Sequence, residues 1–448
     1  MKFGGALAEK IRIIGGKSLS GEISVSGAKN AVLKLMAAAL LAKGESRIYN
    51  VPELTDVEIM LNVLEQLGAK VKYDRKAKAI SIDATEITDV RAGYELVSRM
   101  RASFIVLGAL IGRCKEAIVA LPGGCAIGER KVDFHIKGLE ALGTKVKIEN
   151  GYVHAKAKKL TGSDIYLDIP SVGATENIML ASVLAEGATR IQNAAQEPEI
   201  VDLANFLNAM GADITGAGSS EIVINGVKQE KLKPIEYTTI PDRIEAGTYM
   251  AAFIGTKGKG IIRNIFPNHL TFYTSKLSKM GADIKLVDPT SIEVSCKKRL
   301  EAVNIITQPY PGFPTDLQSL AMALATTADG VSIITESLYE NRFMQVGELR
   351  KMGADIHQER NHALVKGVKS LTGANLRASD LRAGASLVIA ALMANGESII
   401  DNIYHIDRGY EFLETKFRSI GANIERFSDN DSDMITQNKG SLSESTKL

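Results

Sequence analysis

LEQLGAKVKY, residues 64–73, contains the pattern that decides the fold of this 448-residue chain. A helical run ends at Gly68, and a short β-prone segment follows at once. Glycine at this point supplies the left-handed residue that closes a helix and releases the chain into a strand. Five further copies of the pattern follow, at residues 139–148, 207–216, 277–286, 349–358 and 417–426.

The glycines of the six copies recur at a nearly constant spacing of 75, 68, 70, 72 and 68 residues. A repeat of this length sets the architecture of a chain. Before its amphipathic helix, a repeat also contains an apolar helix rich in small residues, as in residues 31–41 and 171–187. Such a helix is expected to be buried, with the strands outside it. The sequence therefore predicts an α/β fold in which three repeats close one domain and six make two. A linear solenoid is the alternative, but the polar terminal caps that solenoids need are not visible.

Bulk composition excludes several classes of function. A total of 54 basic and 52 acidic residues gives a net charge of +2, with no electrostatic footprint for nucleic acid or an anionic membrane surface. Three cysteines, without a Cys/His cluster at metal-ligand spacing, predict neither a disulfide framework nor a zinc site. We expect no metal and no cofactor. The first residues lack the apolar segment of a signal peptide, so we expect a cytoplasmic protein.

A glycine-rich stretch, LPGGCAIGERK, contains the cysteine best suited to chemistry. Cys125 lies between Gly124 and Gly128, and Arg130 and Lys131 follow closely. Nearby cations and free backbone N–H groups lower the pKa of a thiol and increase its reactivity. A small buried side chain among turn-forming glycines is the alternative explanation, and it suffices for the other two cysteines.

Polar residues begin several of the apolar helices, where free N–H groups attract anions. Basic side chains at these positions indicate a site for phosphate and carboxylate. Helix capping would explain Ser171, but it does not explain Lys29 or Arg101, because a cation opposes the positive end of a helix. The polar residues at the helix starts are Lys29, Asn30, Arg101, Ser171, Asp242, Arg243, Asp316, Asp380 and Arg382.

Nine separated strings together resemble the UDP-N-acetylglucosamine 1-carboxyvinyltransferases of the EPSP synthase family, over about residues 10 to 427. The strings are SGAKNA, MRAS, LPGGCAIG, SVGAT, PDRIE, FPTD, ENRFM, DLRA and YHIDRGYE. The resemblance implies two inside-out α/β barrel domains, each built from three repeats. One would contain residues 1–28 and 238–427, and the other residues 29–237. Residues 428–448, rich in Ser and Asp, are expected to form a disordered tail.

The resemblance also implies a reaction and its site. The enolpyruvyl group of phosphoenolpyruvate would pass to the 3′-hydroxyl of UDP-N-acetylglucosamine with release of phosphate, the first committed step of peptidoglycan synthesis. Cys125 would be the general acid, able to form a covalent adduct and to be alkylated by fosfomycin, and Asp316 would be the base. Phosphoenolpyruvate would be held by Lys29, Asn30, Arg130, Arg342, Arg382 and Arg408, with Lys29 and Arg408 also catalytic. The sugar nucleotide would contact Arg101, Arg130, Lys131, Val132, Asp133, Phe134, Ser171, Val172, Gly173, Asp316 and Leu338.

Two positions depart from the family pattern. Lys131 stands where the family often has proline, and Ile169-Pro170 stand where some members have lysine. Three alternatives stay open: EPSP synthase, whose family lacks the cysteine loop; a non-catalytic sugar-nucleotide sensor; and an RNA-processing enzyme, which the neutral charge disfavours.

Overall fold

The computed structural model describes residues 9–123 and 132–428, which form two compact units. The N-terminal unit contains Ser26–Arg243 and Gln308–Gly312. The C-terminal unit contains the described residues up to Val25, then Ile244–Thr307 and the described residues from Phe313 onward. The tail predicted after Ser428 lies outside the described residues.

The described helices include almost wholly buried ones and others with one exposed face. The α-helices are α1 (Lys29–Ala38), α2 (Thr55–Gln66), α3 (Tyr94–Val97), α4 (Val106–Cys114), α5 (Asp133–Ala141), α6 (Val172–Ser182), α7 (Pro198–Met210), α8 (Arg243–Gly255), α9 (Thr271–Lys279), α10 (Gln318–Ala325), α11 (Val346–Lys351), α12 (Leu381–Met393), α13 (Tyr404–Asp407) and α14 (Leu413–Ser419). Short 3₁₀ helices cover Ala39–Leu41, Arg101–Ile105, Gln229–Lys231, Pro267–Leu270 and Thr315–Leu317.

The strands are short, as expected for a repeat of this length. They are β1 (Glu9–Ile14), β2 (Ser20–Ser24), β3 (Glu45–Tyr49), β4 (Lys70–Asp74), β5 (Ala79–Asp83), β6 (Arg91–Ala92), β7 (Glu116–Ala120), β8 (Lys145–Glu149), β9 (Tyr152–Lys156), β10 (Asp164–Tyr166), β11 (Ala188–Gln192), β12 (Asp213–Thr215), β13 (Glu221–Asn225), β14 (Glu236–Thr238), β15 (Lys259–Arg263), β16 (Asp283–Asp288), β17 (Ser291–Ser295), β18 (Ile305–Ile306), β19 (Val331–Thr335), β20 (Asp355–Glu359), β21 (His362–Lys366), β22 (Asn375–Arg377), β23 (Glu397–Asp401) and β24 (Asn423–Ser428).

Each unit contains three four-stranded sheets with one shared topology. In every sheet one parallel pair is followed by two antiparallel pairs. The N-terminal unit has the orders β14-β3-β5-β4, β6-β7-β9-β8 and β10-β11-β13-β12. The C-terminal unit has β2-β15-β17-β16, β18-β19-β21-β20 and β22-β23-β1-β24. In each sheet the first strand named lies outside the repeat that contains the second strand. Its hydrogen bonds therefore connect neighbouring repeats.

The buried helices occupy the core of each unit. Every residue of α10 is buried, and so are nearly all residues of α1, α8 and α12. The small residues allow close helix packing: a Cβ at Gly108 on α4 would lie 2.3 Å from the carbonyl oxygen of Asn177 on α6. A larger residue at this point would push the two helix backbones apart.

The predicted fold class is confirmed: each unit is α/β, built from three repeats, with buried helices inside and sheets outside. Among the described residues the three sheets of a unit remain separate and are not hydrogen-bonded into one closed barrel. The six repeat glycines have φ between 88° and 110°, the left-handed conformation expected where each helix ends.

Candidate active site

In the N-terminal unit, Lys29 begins α1 and has acidic partners. Its Nζ lies 2.6 Å from Oδ2 of Asp56, which is buried at the second residue of α2. Its backbone N–H donates to Oδ2 of Asp242 at 3.1 Å. Asp242 therefore caps a helix whose own N-cap residue, Ala28, has no side-chain acceptor. One carboxylate therefore pairs with the Lys29 ammonium and a second one caps the helix start, and Asn30 follows as a partly exposed residue.

The starts of α5 and α6 lie together in the same unit. Val132 precedes α5, and Asp133 and Phe134 are its first residues. At α6, Ser171 Oγ accepts from the N–H of Ala174 at 3.4 Å, the capping arrangement expected for this serine. A Cβ at Gly173 would lie 3.0 Å from Cε1 of His135. Glycine therefore lets the histidine ring approach the start of α6.

His135 is buried and its orientation is fixed by Asn177, a residue that the sequence analysis did not identify. The Oδ1 atom of Asn177 accepts from the N–H of Gly108 at 2.6 Å, so its Nδ2 faces Nδ1 of His135 at 2.8 Å. Nδ1 must then be the acceptor, which leaves the ring proton on Nε2. Phe104 packs against the ring edge-on, with centroids 5.2 Å apart. Arg101, partly exposed, begins the 3₁₀ helix that contains Phe104.

In the C-terminal unit, Asp316 lies between two buried arginines. Oδ2 is 2.9 Å from Nη2 of Arg382, and Oδ1 accepts from Nη2 of Arg342. Burial disfavours the charged form of this carboxyl group, but the two guanidinium groups outweigh that effect and hold its pKa well below the usual range. The carboxyl group is therefore ionised, and its carboxylate is a weak base in this arrangement.

Neighbouring residues fix the backbone at Arg382 and the side chain of Arg342. Asp380 caps α12 and accepts from the backbone N–H groups of Arg382 at 2.9 Å and Ala383 at 3.0 Å. Arg342 donates from Nη1 to Thr315 Oγ1 at 3.2 Å and lies over the ring of Tyr339. Its buried Nε has no hydrogen-bond acceptor among the described residues. Two buried guanidinium groups on one small carboxylate form a cationic centre suited to a polyanionic ligand.

Arg408 directly follows α13 and is partly exposed. Burial and the adjacent Arg408 charge lower the pKa of His405, which keeps this imidazole neutral near pH 7. The preceding Asp407 is held by Arg426, whose Nη2 lies 2.6 Å from Oδ1. Leu338, at the edge of the turn after β19, exposes about a third of its surface.

Three residues of the predicted site, Cys125, Arg130 and Lys131, lie outside the described residues. The other two cysteines behave as expected for structural thiols. Burial raises the pKa of Cys114 and of Cys296, which keeps both protonated near pH 7. Within residues 9–123 and 132–428, no group of three or more His, Cys, Asp or Glu side chains is placed to hold a metal ion. In that same part of the chain, no helix has the length and apolar character needed to span a membrane.

Comparison with known proteins gives concordant results. Residues 13–417 match the family model described as EPSP synthase (3-phosphoshikimate 1-carboxyvinyltransferase). The chain is 53% identical over 422 residues to UDP-N-acetylglucosamine 1-carboxyvinyltransferase 2 of Carboxydothermus hydrogenoformans, covering 94% of this chain and 100% of the relative. It is 52% identical to UDP-N-acetylglucosamine 1-carboxyvinyltransferase of Gloeobacter violaceus, covering 93% and 90% of the two chains.

Solved structures share the fold. The enolpyruvyl transferase NikO from Streptomyces tendae superimposes with a TM-score of 0.85 at 26% identity, covering 94% of this chain and all of the other. EPSP synthase from Acinetobacter baumannii gives a TM-score of 0.72 at 18% identity with the same coverage, which supports the fold alone. The resemblance seen in the sequence is confirmed: the chain belongs to the EPSP synthase family of carboxyvinyltransferases.

Proposed function

We propose that this transferase moves the enolpyruvyl group of phosphoenolpyruvate to the 3′-hydroxyl of UDP-N-acetylglucosamine and releases phosphate, in the first committed step of peptidoglycan synthesis. Relatives that are about half identical over nearly the whole chain are named UDP-N-acetylglucosamine 1-carboxyvinyltransferase. That shared name supports UDP-N-acetylglucosamine as the acceptor. The observation that carries the proposal is the Asp316–Arg342–Arg382 cluster, because it combines a carboxylate base with two fixed binding groups for an anionic donor.

The reaction divides into addition and elimination. In the addition, the 3′-oxygen bonds to C2 of phosphoenolpyruvate, its proton passes to a base, and an acid delivers a proton to C3. In the elimination, C3 loses a proton, the double bond re-forms, and the C2–O bond to phosphate breaks. The site must therefore supply one base, one acid and cations that stabilise phosphate and carboxylate throughout.

In this proposal the donor is bound by cationic side chains. Arg342 and Arg382 bind it in the C-terminal unit, with Nε of Arg342 as a further N–H donor. Arg408 contributes from the turn after α13. Lys29 and Asn30 contribute from the start of α1, and Arg130, outside the described residues, completes the set. Lys29 acts in the reaction as well as in binding, and so does Arg408, because their charges also stabilise the departing phosphate.

Asp316 is proposed as the base for the 3′-hydroxyl, and its two arginines impose a condition on this role. While both guanidinium groups pair with it, the carboxylate is too weak a base to take a hydroxyl proton. Phosphate and carboxylate of the donor compete for the same guanidinium groups, which raises the pKa of Asp316. Asp316 therefore becomes a stronger base when phosphoenolpyruvate is bound, which is when the 3′-hydroxyl of the sugar nucleotide can react with it.

The sugar nucleotide is proposed to lie against the starts of α5 and α6. Val172 and Gly173 are the first two residues of α6, where backbone N–H groups lack an acceptor within the helix and a diphosphate is favoured. Val132, Asp133, Phe134 and Ser171 would supply further contacts. Arg101, Arg130, Lys131, Asp316 and Leu338 complete the proposed set.

Cys125 is proposed as the general acid that protonates C3, and it would be the residue alkylated by fosfomycin. The proposal includes a cytoplasmic location and no cofactor, since both substrates are soluble small molecules and the steps require only proton transfer and charge stabilisation.

Product identification tests the proposal directly. The purified chain is incubated with phosphoenolpyruvate and UDP-N-acetylglucosamine, and the nucleotide is analysed by mass spectrometry. The expected result is a sugar nucleotide that has gained one enolpyruvyl group. Binding of the sugar nucleotide without any such product would instead favour a sensor.

A further inference from the structure

Glu336 follows β19 directly and is 2% exposed, yet no step described so far uses it. Its carboxylate accepts four hydrogen bonds. Oε1 accepts from Thr307 Oγ1 at 2.8 Å and from the N–H groups of Leu338 at 2.9 Å and Tyr339 at 3.3 Å. Oε2 accepts from Thr315 Oγ1 at 2.8 Å. One buried side chain therefore joins three segments of the C-terminal unit.

The direction of these hydrogen bonds is fixed by the second partner of each threonine. Thr307 Oγ1 accepts from the N–H of Ser337 at 2.9 Å, and Thr315 Oγ1 accepts from Nη1 of Arg342 at 3.2 Å. Each hydroxyl proton then points at Glu336. The carboxylate therefore faces hydrogen-bond donors only.

The joined segments carry residues of the proposed site. Thr315 is the residue before Asp316, and Leu338 begins the turn that leads to Arg342. A chain of hydrogen bonds runs from Arg342 through Thr315 to Glu336. The other terminal nitrogen of Arg342 reaches Asp316. The distance between Asp316 and Arg342 therefore depends on the carboxylate of Glu336.

We propose that Glu336 is a positioning residue for enolpyruvyl transfer, which sets the distance between Asp316 and Arg342 by binding Thr315 and the Leu338–Tyr339 turn at once. This inference rests on the proposed function. Glu336 touches neither substrate in this account and acts through Thr315. Small displacements of reacting groups have large kinetic effects, about 100-fold for 1 Å.

The substitution Glu336→Gln removes the negative charge of the side chain and keeps its size and shape. The glutamine amide oxygen can keep the three donors now on Oε1, whereas the NH₂ group would face Thr315. That NH₂ group donates to Thr315 Oγ1 and competes with Arg342 for the same oxygen. The link to Leu338 survives and the link to Arg342 is weakened, so the effect should appear in the use of phosphoenolpyruvate.

The test measures steady-state phosphate release by wild type, Glu336→Gln, Thr315→Val, Thr315→Ser and the double variant Glu336→Gln/Thr315→Val. We expect kcat/KM for phosphoenolpyruvate to fall about 10- to 100-fold in Glu336→Gln and in Thr315→Val. KM for the sugar nucleotide should change less than about threefold, the change expected when no direct contact is lost. Thr315→Ser keeps the hydroxyl and should retain most activity. The double variant should be no slower than the slower single variant, because both changes break one chain of hydrogen bonds.

Thr326→Val is the matched control. It removes a buried threonine hydroxyl, 2.6 Å from the carbonyl oxygen of Ala323, at the far end of α10 from Asp316. It should lower the denaturation midpoint without changing kcat/KM. If wild type turns over and Glu336→Gln changes only the denaturation midpoint, or the two losses multiply in the double variant, this inference is wrong while the proposed function stands. A wild type without phosphate release would overturn both.

Discussion

Oδ2 of Asp316 lies 2.9 Å from Nη2 of Arg382, a residue 66 positions later in the chain. The same carboxylate gives its other oxygen to Arg342. Under the proposed function, the group that accepts the proton is a weak base before the donor binds, and it lies beside two proposed binding groups for that donor. In that proposal, occupancy of the donor site is coupled to the basicity of Asp316.

Replacement of Asp316 by Asn tests its role as base. The amide keeps the size of the side chain but cannot accept the hydroxyl proton, so kcat should fall about 10²- to 10⁴-fold. Steady-state phosphate release gives the value. Asp329→Asn, an exposed carboxylate of the same unit beside Arg299, serves as control and should match wild type. If kcat of Asp316→Asn stays within a few-fold of the wild-type value, Asp316 is not the base.

Variants of Cys125 test the proposed acid and the inhibitor site together. Aspartate can donate a proton but is not the thiol that fosfomycin alkylates, so Cys125→Asp should keep activity and lose sensitivity. Cys125→Ala should lose turnover because no acid remains. Phosphate release with and without fosfomycin measures both properties. An alanine variant as active as wild type would show that the acid lies elsewhere.

Asp202 on α7 gives a pH dependence of stability. It is buried, it accepts from the Tyr237 hydroxyl at 2.8 Å, and burial raises its pKa to about 6. The unfolded value is about 3.9. The protonated form is therefore favoured by folding: its contribution is present below about pH 4 and is lost as pH rises through about 6.

The corresponding prediction compares wild type with Asp202→Asn in urea unfolding at several pH values. Wild type should lose up to about 2–3 kcal/mol relative to the variant between pH 4 and pH 7. The variant lacks the titrating group, so all other pH effects are shared and cancel. A difference that stays constant over this range would show that Asp202 does not titrate with a raised pKa.

Gly108 tests the close packing of α4 against α6. Alanine at this position would bring a Cβ to 2.3 Å from the carbonyl oxygen of Asn177, and Gly108→Ala should cost about 1–3 kcal/mol in unfolding free energy. Gly347 on α11 is the control, since a Cβ there meets nothing within 4 Å. Gly347→Ala should stabilise by about 0.5–1 kcal/mol through helix propensity. Equal effects of the two changes on urea unfolding would contradict the packing description.

The repeat glycines predict most of the fold because each marks a local event, the end of a helix. The helix cores follow from local composition in the same way. The identity of each packing partner does not, because it depends on contacts distant in sequence. Strand β1, for example, pairs Ile13 with Ile424, a partner that no local pattern indicates.

Partners of the predicted site residues show the same limit. The sequence pointed to Lys29 as a cation at a helix start, but Asp242, which accepts from its N–H, lies 213 positions away. Asn177 was visible as a polar residue within an apolar helix, yet only the fold shows that it orients His135. Glu336 carried no signal beyond being a charge after a strand.

The most direct test of the central claim is phosphate release from phosphoenolpyruvate with two acceptors in separate assays, UDP-N-acetylglucosamine and shikimate 3-phosphate. The account predicts release only with UDP-N-acetylglucosamine. Release only with shikimate 3-phosphate would contradict it and assign the chain the acceptor named in its family model. No release with either acceptor would contradict the assignment of turnover itself.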